Sequence, residues 1–113
     1  MISNATKKQQ LAKRYTLRSG MLGRALGLMF FRRPTAMIFP FPVPRRYRIH
    51  MVFVFFPIDL LFLSSRRQVI EIKERLRPWQ VYLPKQAYSV LIELPAGTVA
   101  RTGTAVGDAI VWR

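Results

Sequence analysis

The sequence predicts a mainly β fold, a small single-domain β-sandwich or barrel of five to seven short strands with one short helix. Apolar and polar residues alternate with a period of two in the C-terminal half, and no helical period separates successive apolar segments. The 8 Pro and 6 Gly interrupt the chain often enough to keep those segments short. At 113 residues and 50% apolar composition, the chain can bury one core and is too short for two.

The composition disfavours several classes of functional site. With no Cys, a disulfide framework, a thiolate metal site and a cysteine nucleophile are excluded. The single His makes a zinc site improbable, and the glycines fit neither the Walker nor the dinucleotide-binding spacing. We therefore expect no metal and no cofactor.

The charge is strongly basic and unevenly distributed. Residues 1–58 contain 11 Lys and Arg and no acid, whereas residues 59–113 contain 8 basic and 5 acidic residues, for a formal net charge of +14. Such a field attracts nucleic acid and anionic surfaces. The alternative is that the charge serves solubility alone.

The sequence predicts neither export nor membrane insertion. Residues 1–17 lack the apolar region of a signal peptide. The apolar run from Met51 to Leu63 contains Pro57 and Asp59 and is shorter than the about 20 residues that a membrane helix needs. We therefore expect a cytoplasmic protein.

The N-terminal half is predicted to hold few regular elements. Residues 1–14 read as a basic flexible arm, and residues 15–113 as a single β domain whose first partial strand covers residues 15–18. Ser19 could cap a helix of about two turns that ends at Gly27. Because Pro cannot donate to a β ladder, residues 36–41 are predicted as an edge strand or an extended loop.

The later strands are predicted more sharply. Residues 49–56 and 58–63 are apolar on both faces, so we expect strands that are covered on both sides, with a ladder break at Pro57. Further strands are expected at residues 68–75, which form a hairpin with the preceding strand, at 88–94 and at 108–113. The segments at 76–85 and 101–108 read as an ordered connection and a turn.

Several short blocks between Ser19 and Val111 form a pattern that is more specific than any one of them. They comprise Gly27–Phe30 with Arg32 and Arg33, Phe55–Asp59 with Phe62 and Leu63, Val69, Glu71, Leu76, Pro78, Trp79, Leu91–Thr98, Thr102–Thr104, Gly107 and Asp108. In this order they make the chain resemble the DUF192 family of uncharacterised proteins, and above all its archaeal, unsecreted members. The resemblance implies a small mainly β domain without an established activity. Two departures are the turn Ser64–Arg67, where an Asp/Gly turn is usual, and the lack of acidic residues around Arg18–Arg24.

Asp59 is the residue on which the functional question centres, because a carboxylate between Ile58 and Leu60 is costly to bury without partners. One hypothesis makes it a general base or a cation ligand, and a His50/Asp59 dyad is one form of this idea. The other, which we favour, makes it a structural cap for backbone N–H groups that are freed where Pro57 breaks the ladder.

Other side chains could join Asp59 in a ligand site. Trp79, Tyr82 and Tyr88 could stack on a ligand or could cover the open end of the sheet. Glu71, Glu93 and Asp108 are candidates for a carboxylate cluster with Asp59, but Glu71 and Glu93 are predicted to lie on the polar, solvated faces of their strands. The predicted ligand-binding set is Asp59, His50, Trp79, Tyr82 and Glu93.

Three functions follow from these residues. The favoured one is a non-catalytic domain that binds a small ligand or acts as an accessory. The first alternative is sequence-independent binding of nucleic acid through the basic N-terminal half, with the arginines Arg32, Arg33, Arg45, Arg46 and Arg48. The second alternative is a hydrolase that uses Asp59. Oligomeric state and catalytic residues stay open.

Overall fold

The computed structural model describes residues 1–18, 35–51 and 55–113, except for the side chain of His50. These residues form ten strands and one helix: β1 (Ile2–Asn4), β2 (Gln9–Ala12), β3 (Thr16–Leu17), β4 (Met37–Arg45), β5 (Ile49–His50), β6 (Ile58–Leu63), β7 (Val69–Leu76), β8 (Val81–Tyr82), β9 (Tyr88–Pro95), α1 (Thr98–Thr102) and β10 (Ile110–Trp112). The prediction of a mainly β domain is confirmed. The strand count exceeds five to seven because several strands have only two or three residues.

A five-stranded sheet in the order β3-β4-β9-β6-β7 forms the centre of the molecule. Its two innermost strands are covered on both faces: every residue of β6 is buried, and so is all of β9 except Pro95. β6 pairs with β7 and with β9, and both pairings are antiparallel. The predicted strand at 58–63, its hairpin partner and the strand at 88–94 are thus confirmed.

Two apolar clusters cover the two faces of this sheet. We call the first the β5-side cluster, because Ile49 and Met51 pack in it with Leu60, Phe62 and other buried residues. The second is the α1-side cluster, in which Val99 meets residues of the central strands. Fully burying an aliphatic or aromatic side chain contributes about 1.5–3 kcal/mol, so these two layers hold the sheet in place.

The prediction of a flexible arm over residues 1–14 is wrong. β1 pairs with β2 and with β10, which makes a second sheet of three strands. Ile2 and Leu11 are buried in the α1-side cluster. The apolar residues of the segment, Met1, Ile2, Ala5, Leu11 and Ala12, follow no regular period. Pairing of β1 with β2 and with β10 nevertheless orders it. The predicted strand near residues 15–18 is present as β3.

The prolines lie in β4, which is not an edge strand throughout. β3 covers its first two residues, since Thr16 pairs with Met37 and Leu17 with Ile38. Pro40, Pro42 and Pro44 come after that contact, where no described residue pairs with the β3 side of β4. The rule that excludes Pro from a doubly paired ladder therefore holds within this one strand.

The helix that the sequence predicts between Ser19 and Gly27 lies outside the described residues. The described helix, α1, was missed because its five residues are too few to show a helical period. Gly97 and Gly103 flank it with φ of 95° and 67°, the left-handed conformation that favours glycine. The described residues contain no helix of the length and apolarity that a membrane span requires.

Candidate functional site

Asp59 is fully buried and accepts three backbone hydrogen bonds. Its Oδ1 takes the N–H of Arg75 at 3.0 Å, and its Oδ2 takes those of Gly97 at 3.1 Å and Val99 at 2.9 Å. Gly97 is the N-cap residue of α1 and has no side chain to cap the helix, so the carboxylate from β6 does so. The prediction that Asp59 caps backbone N–H groups is confirmed.

The donors differ from those that the sequence suggested. Ile58 pairs with Leu76 and Leu60 with Lys73, so two residues of β7 face Asp59 alone, which is a β-bulge. The N–H of Arg75, in that bulge, points to Asp59 rather than to the ladder. The ladder break that Asp59 satisfies thus lies on β7 and not at Pro57.

Glu93 lies on the opposite face of the sheet from Asp59. Glu93 belongs to β9, where its cross-strand partners are Met37 of β4 and Leu60 of β6, and it is only 8% exposed. The prediction of a solvated position is wrong, because β9 is a central strand with apolar cover on both faces. Burial raises the pKa of Glu93 to about 7. Among the described residues, none donates a hydrogen bond to its carboxyl group.

Glu71 is also buried, against the prediction, and it holds the segment that follows β8. Its carboxylate accepts the hydroxyl of Tyr82 and the N–H groups of Lys85, at 2.9 Å, and Gln86, at 3.2 Å. Burial, and then the hydrogen bond and charge of Glu71, raise the pKa of Tyr82 to about 12. The hydroxyl of Tyr82 therefore has a structural role, as a hydrogen-bond donor to Glu71.

The predicted ligand residues do not all converge. Glu93 and Tyr82 lie on the β5 side of the sheet, whereas Asp59 faces the α1 side. Trp79 is 57% exposed, and its backbone N–H donates to the carbonyl of Met51 at 2.9 Å. The backbone of His50 pairs with Val81, while its side chain falls outside the description.

Asp108 completes the set of buried carboxylates. It accepts Nδ2 of Asn4 at 2.9 Å, the N–H of Ala105 at 2.9 Å and Nζ of Lys7 at 3.0 Å. Burial acts to raise its pKa, but these hydrogen bonds and the Lys7 charge lower it below the ordinary value. In the described part of the chain, no three His, Asp or Glu side chains come together as metal ligands.

The surface is therefore almost without negative charge. Four of the five acidic residues of the sequence are buried, and Glu74 alone is exposed. The one ion pair between described residues is that of Lys7 with Asp108. Arg45, Arg46 and Arg48 are all exposed around the end of β4, where Nε of Arg46 donates to the carbonyl of Pro84 at 2.8 Å. Arg32 and Arg33 lie outside the described residues.

A groove beside the prolines of β4 was not predicted. It has a volume of about 320 Å³ and is lined by Pro40, Phe41, Pro42, Pro44, Ser65, Arg67, Ser89, Val90 and Trp112. The guanidinium of Arg67 lies over the ring of Trp112, 3.7 Å from its centroid. We call this feature the proline groove. The closely spaced prolines were the signal that could have indicated it.

The sequence comparisons agree with this fold. A family model described as DUF192, "Uncharacterized ACR", matches residues 5–112. The chain belongs to the DUF192 family. UPF0127 proteins of Thermococcus sibiricus and Pyrococcus furiosus are 35% and 31% identical to it, over 99% and 96% of this chain and 74% and 95% of theirs. The resemblance seen in the sequence, including its archaeal character, is confirmed.

Two solved structures share the fold of this DUF192 member. A Novosphingobium aromaticivorans protein of unknown function has a TM-score of 0.88 at 24% identity, over 98% of this chain and 83% of the other. A Sinorhizobium meliloti protein, proposed to regulate transcription, has a TM-score of 0.81 at 28% identity, over 86% and 79%. Neither indicates a specific function, in keeping with a family of uncharacterised proteins.

Proposed function

We propose that this protein is a non-catalytic domain that binds nucleic acid without reading its sequence, through contacts of exposed Arg and Lys side chains with phosphates. The observation that carries the proposal is the separation of charge between interior and surface. Four of the five acidic residues are buried, and three of these four accept hydrogen bonds inside the fold. Glu74 is therefore the one exposed acid. The exterior field is then almost purely cationic.

This separation says more than the net charge does. A basic sequence could still neutralise its surface by pairing each acid with a nearby Arg or Lys. Here, however, the carboxylate oxygens of Asp59 and Glu71 accept hydrogen bonds from backbone N–H groups and from a tyrosine hydroxyl. The exposed cations at the end of β4 consequently have no acidic partner among the described residues. The closely spaced phosphates of a nucleic acid suit such a surface, because they give a high density of negative charge and because guanidinium groups bind phosphate in a bidentate way.

The Sinorhizobium meliloti neighbour is in line with this proposal, since a protein proposed to regulate transcription would act close to nucleic acid. The basic residues of the predicted set that the structure describes, Arg45, Arg46 and Arg48, are all exposed. They would supply part of the phosphate contacts.

A salt titration of binding to a fluorescent DNA duplex tests the proposal. If at least about four phosphates are neutralised, affinity should fall roughly 10²-fold between 50 mM and 200 mM salt. Poly-glutamate of matched charge is the control, and we expect it to bind more weakly because a DNA duplex carries one negative charge per about 1.7 Å, whereas an extended poly-glutamate chain carries one per about 3.3 Å. A flat titration, or equal binding of poly-glutamate, would count against nucleic acid as the partner.

A second candidate, binding of a small cationic ligand, is favoured by Glu93. A buried carboxyl group to which no described residue donates a hydrogen bond is suited to accept one from a ligand. A thermal-shift screen with small amines and polyamines tests this, with Glu93→Gln as the matched variant. Stabilisation of the parent protein alone is expected, and equal shifts in both proteins would exclude Glu93 as the ligand group.

A further inference from the structure

We propose that the proline groove seats one unpaired nucleotide, so that the protein prefers single-stranded over double-stranded nucleic acid. This inference rests on the proposed function and assigns a defined site to it. The base would enter the groove, and its flanking phosphates would lie on the basic rim.

The groove arises from the way β4 leaves β9. Pro40 pairs with Val90, but the next pair is Arg45 with Tyr88, so four residues of β4 face Ser89 alone. Pro42 and Pro44 have no N–H and cannot continue the ladder. The chain therefore arches away from β9, and the space beneath the arch is the groove of about 320 Å³. A cavity of this size is at the lower limit for small-ligand sites and can take a single nucleobase.

The lining suits a flat, partly apolar group. Proline rings, Val90 and Trp112 supply apolar walls, and Ser65 and Ser89 supply hydroxyl groups. Arg67 presents one face of its guanidinium to the Trp112 ring at 3.7 Å. Arg67 is exposed, so in the proposed complex the guanidinium face turned away from Trp112 would stack on a base, and the nitrogen atoms at its edge would donate hydrogen bonds to that base or to a phosphate. The three planar groups would form one continuous stack.

The rim has the charge that the backbone of a nucleic acid requires. Arg45, Arg66 and Arg113 are exposed and stand next in sequence to the lining residues Pro44, Arg67 and Trp112. None of the lining residues is acidic. In a duplex the bases are stacked and paired inside, so they cannot enter the groove without being flipped out, whereas single strands present them freely.

The test compares a single-stranded oligothymidylate of about 20 nucleotides with a duplex of the same length, by fluorescence anisotropy. We expect the parent protein to bind the single strand at least about 10-fold more tightly, since stacking of one base contributes about this much. Arg67→Lys should abolish most of this preference and leave the salt dependence unchanged, because it keeps the charge and removes the plane.

Arg66→Asn is the matched control, since Arg66 lies in the same turn but does not line the groove. It should lower the slope of log affinity against log salt by about 1 and keep the single-strand preference. Ser65→Leu is an independent variant on an exposed turn residue that narrows the groove without touching the core, and it too should lose the preference. Unfolding curves of all three show whether the fold is intact.

The outcomes separate the two proposals. If nothing binds in a salt-dependent way, the proposed function itself fails. If the protein binds both forms equally, or if Arg67→Lys and Ser65→Leu both keep the preference, then only the assignment of the groove fails. A mononucleotide that binds tightly, loses affinity in Ser65→Leu and does not compete with the oligonucleotide would show that the groove takes a small anion instead, and would also overturn the assignment.

Discussion

Asp59 and Glu93 are two buried carboxyl groups on neighbouring strands, and they differ in every respect that decides a role. Leu60 pairs with Glu93 and Asp59 with Leu94, so the two acids are one residue apart in register and face opposite sides of the sheet. Asp59 accepts three backbone N–H groups, whereas no described residue donates to Glu93. Burial of a carboxyl group alone therefore does not indicate a function. Its hydrogen-bond partners decide whether its role is structural.

The largest expected effect is on Asp59. Asp59→Ala leaves the N–H groups of Arg75, Gly97 and Val99 without their acceptor, and should lower the free energy of unfolding by about 3–5 kcal/mol. Urea unfolding at pH 7 measures this. Asp59→Asn keeps one oxygen and should recover part of the loss. A loss below about 1 kcal/mol would show that water replaces the carboxylate, and that the contrast with Glu93 is smaller than the geometry indicates.

At neutral pH the charge of Glu93 should lower the free energy of unfolding, whereas the carboxylate of Asp59 raises it. With its pKa raised from 4.5 to about 7, the folded protein holds a proton that the unfolded chain has released, so the stability contributed by Glu93 is full below pH 4.5 and is lost as pH rises to about 7. The loss amounts to roughly 3 kcal/mol. In Glu93→Gln this part of the pH dependence should vanish.

Urea unfolding of both proteins between pH 4 and pH 8.5 checks the prediction for Glu93. The slope against pH is compared rather than the absolute stability, because a buried amide has costs of its own. Parallel pH profiles for the two proteins would show that Glu93 is solvated or paired in solution.

Tyr82→Phe removes the hydroxyl donor to Glu71 but leaves the N–H groups of Lys85 and Gln86 on that carboxylate. Because a single donor to a charged acceptor is lost, stability should fall by about 1.5–3 kcal/mol. Thermal unfolding measures it, and Tyr47→Phe, with a hydroxyl outside this group, serves as the control. An effect no greater than that of the control would show that the Tyr82 hydroxyl contributes little to the stability of the Glu71 site, and would weaken the contrast between Glu71 and Glu93.

The smallest effect is expected at the start of α1. Gly97 has φ of 95° and only the tip of the Arg75 side chain within 4 Å of an added Cβ, so Gly97→Ala adds backbone strain and no clash. It should cost about 1 kcal/mol. In the Asp59→Ala background the cost should be smaller, since the helix start is already loosened, and a double-mutant cycle measures the difference. Strict additivity would separate the glycine from the carboxylate cap.

The sequence predicts the fold well in the segments whose pattern of apolar and polar residues indicates directly which positions are buried. Residues 58–63 are apolar at every position but one, and the exception, Asp59, was correctly taken as a cap. The strands at 69–76 and 88–95 were found through their alternation and their turns. Residues 1–14 were missed because β1 and β2 have only 3 and 4 residues, and because β1 also pairs with β10, about a hundred residues away, which leaves no local pattern.

The candidate site was less predictable for a related reason. Alternation of Ser89, Leu91 and Glu93 with Val90 and Ile92 marks two faces of a strand, but it does not show that both faces are covered. Glu71 and Glu93 were therefore assigned to solvent, although Glu93 lies on the central strand β9 and Glu71 is covered by the segment that follows β8. The prolines of β4 indicate where its ladder with β9 ends, but the other walls of the proline groove come from Ser65, Arg67 and Trp112, which are distant from β4 in sequence.

The burial of four carboxylates also affects how the protein responds to its surroundings. Glu74 is the one exposed acid, so the surface charge is set by Lys and Arg. The sequence holds 19 Lys and Arg against 5 acids, and the net charge should therefore stay strongly positive from about pH 5 to about pH 9. The attraction of the protein for a polyanion would then be governed mainly by ionic strength, and the protein should migrate as a cation in electrophoresis over that whole range.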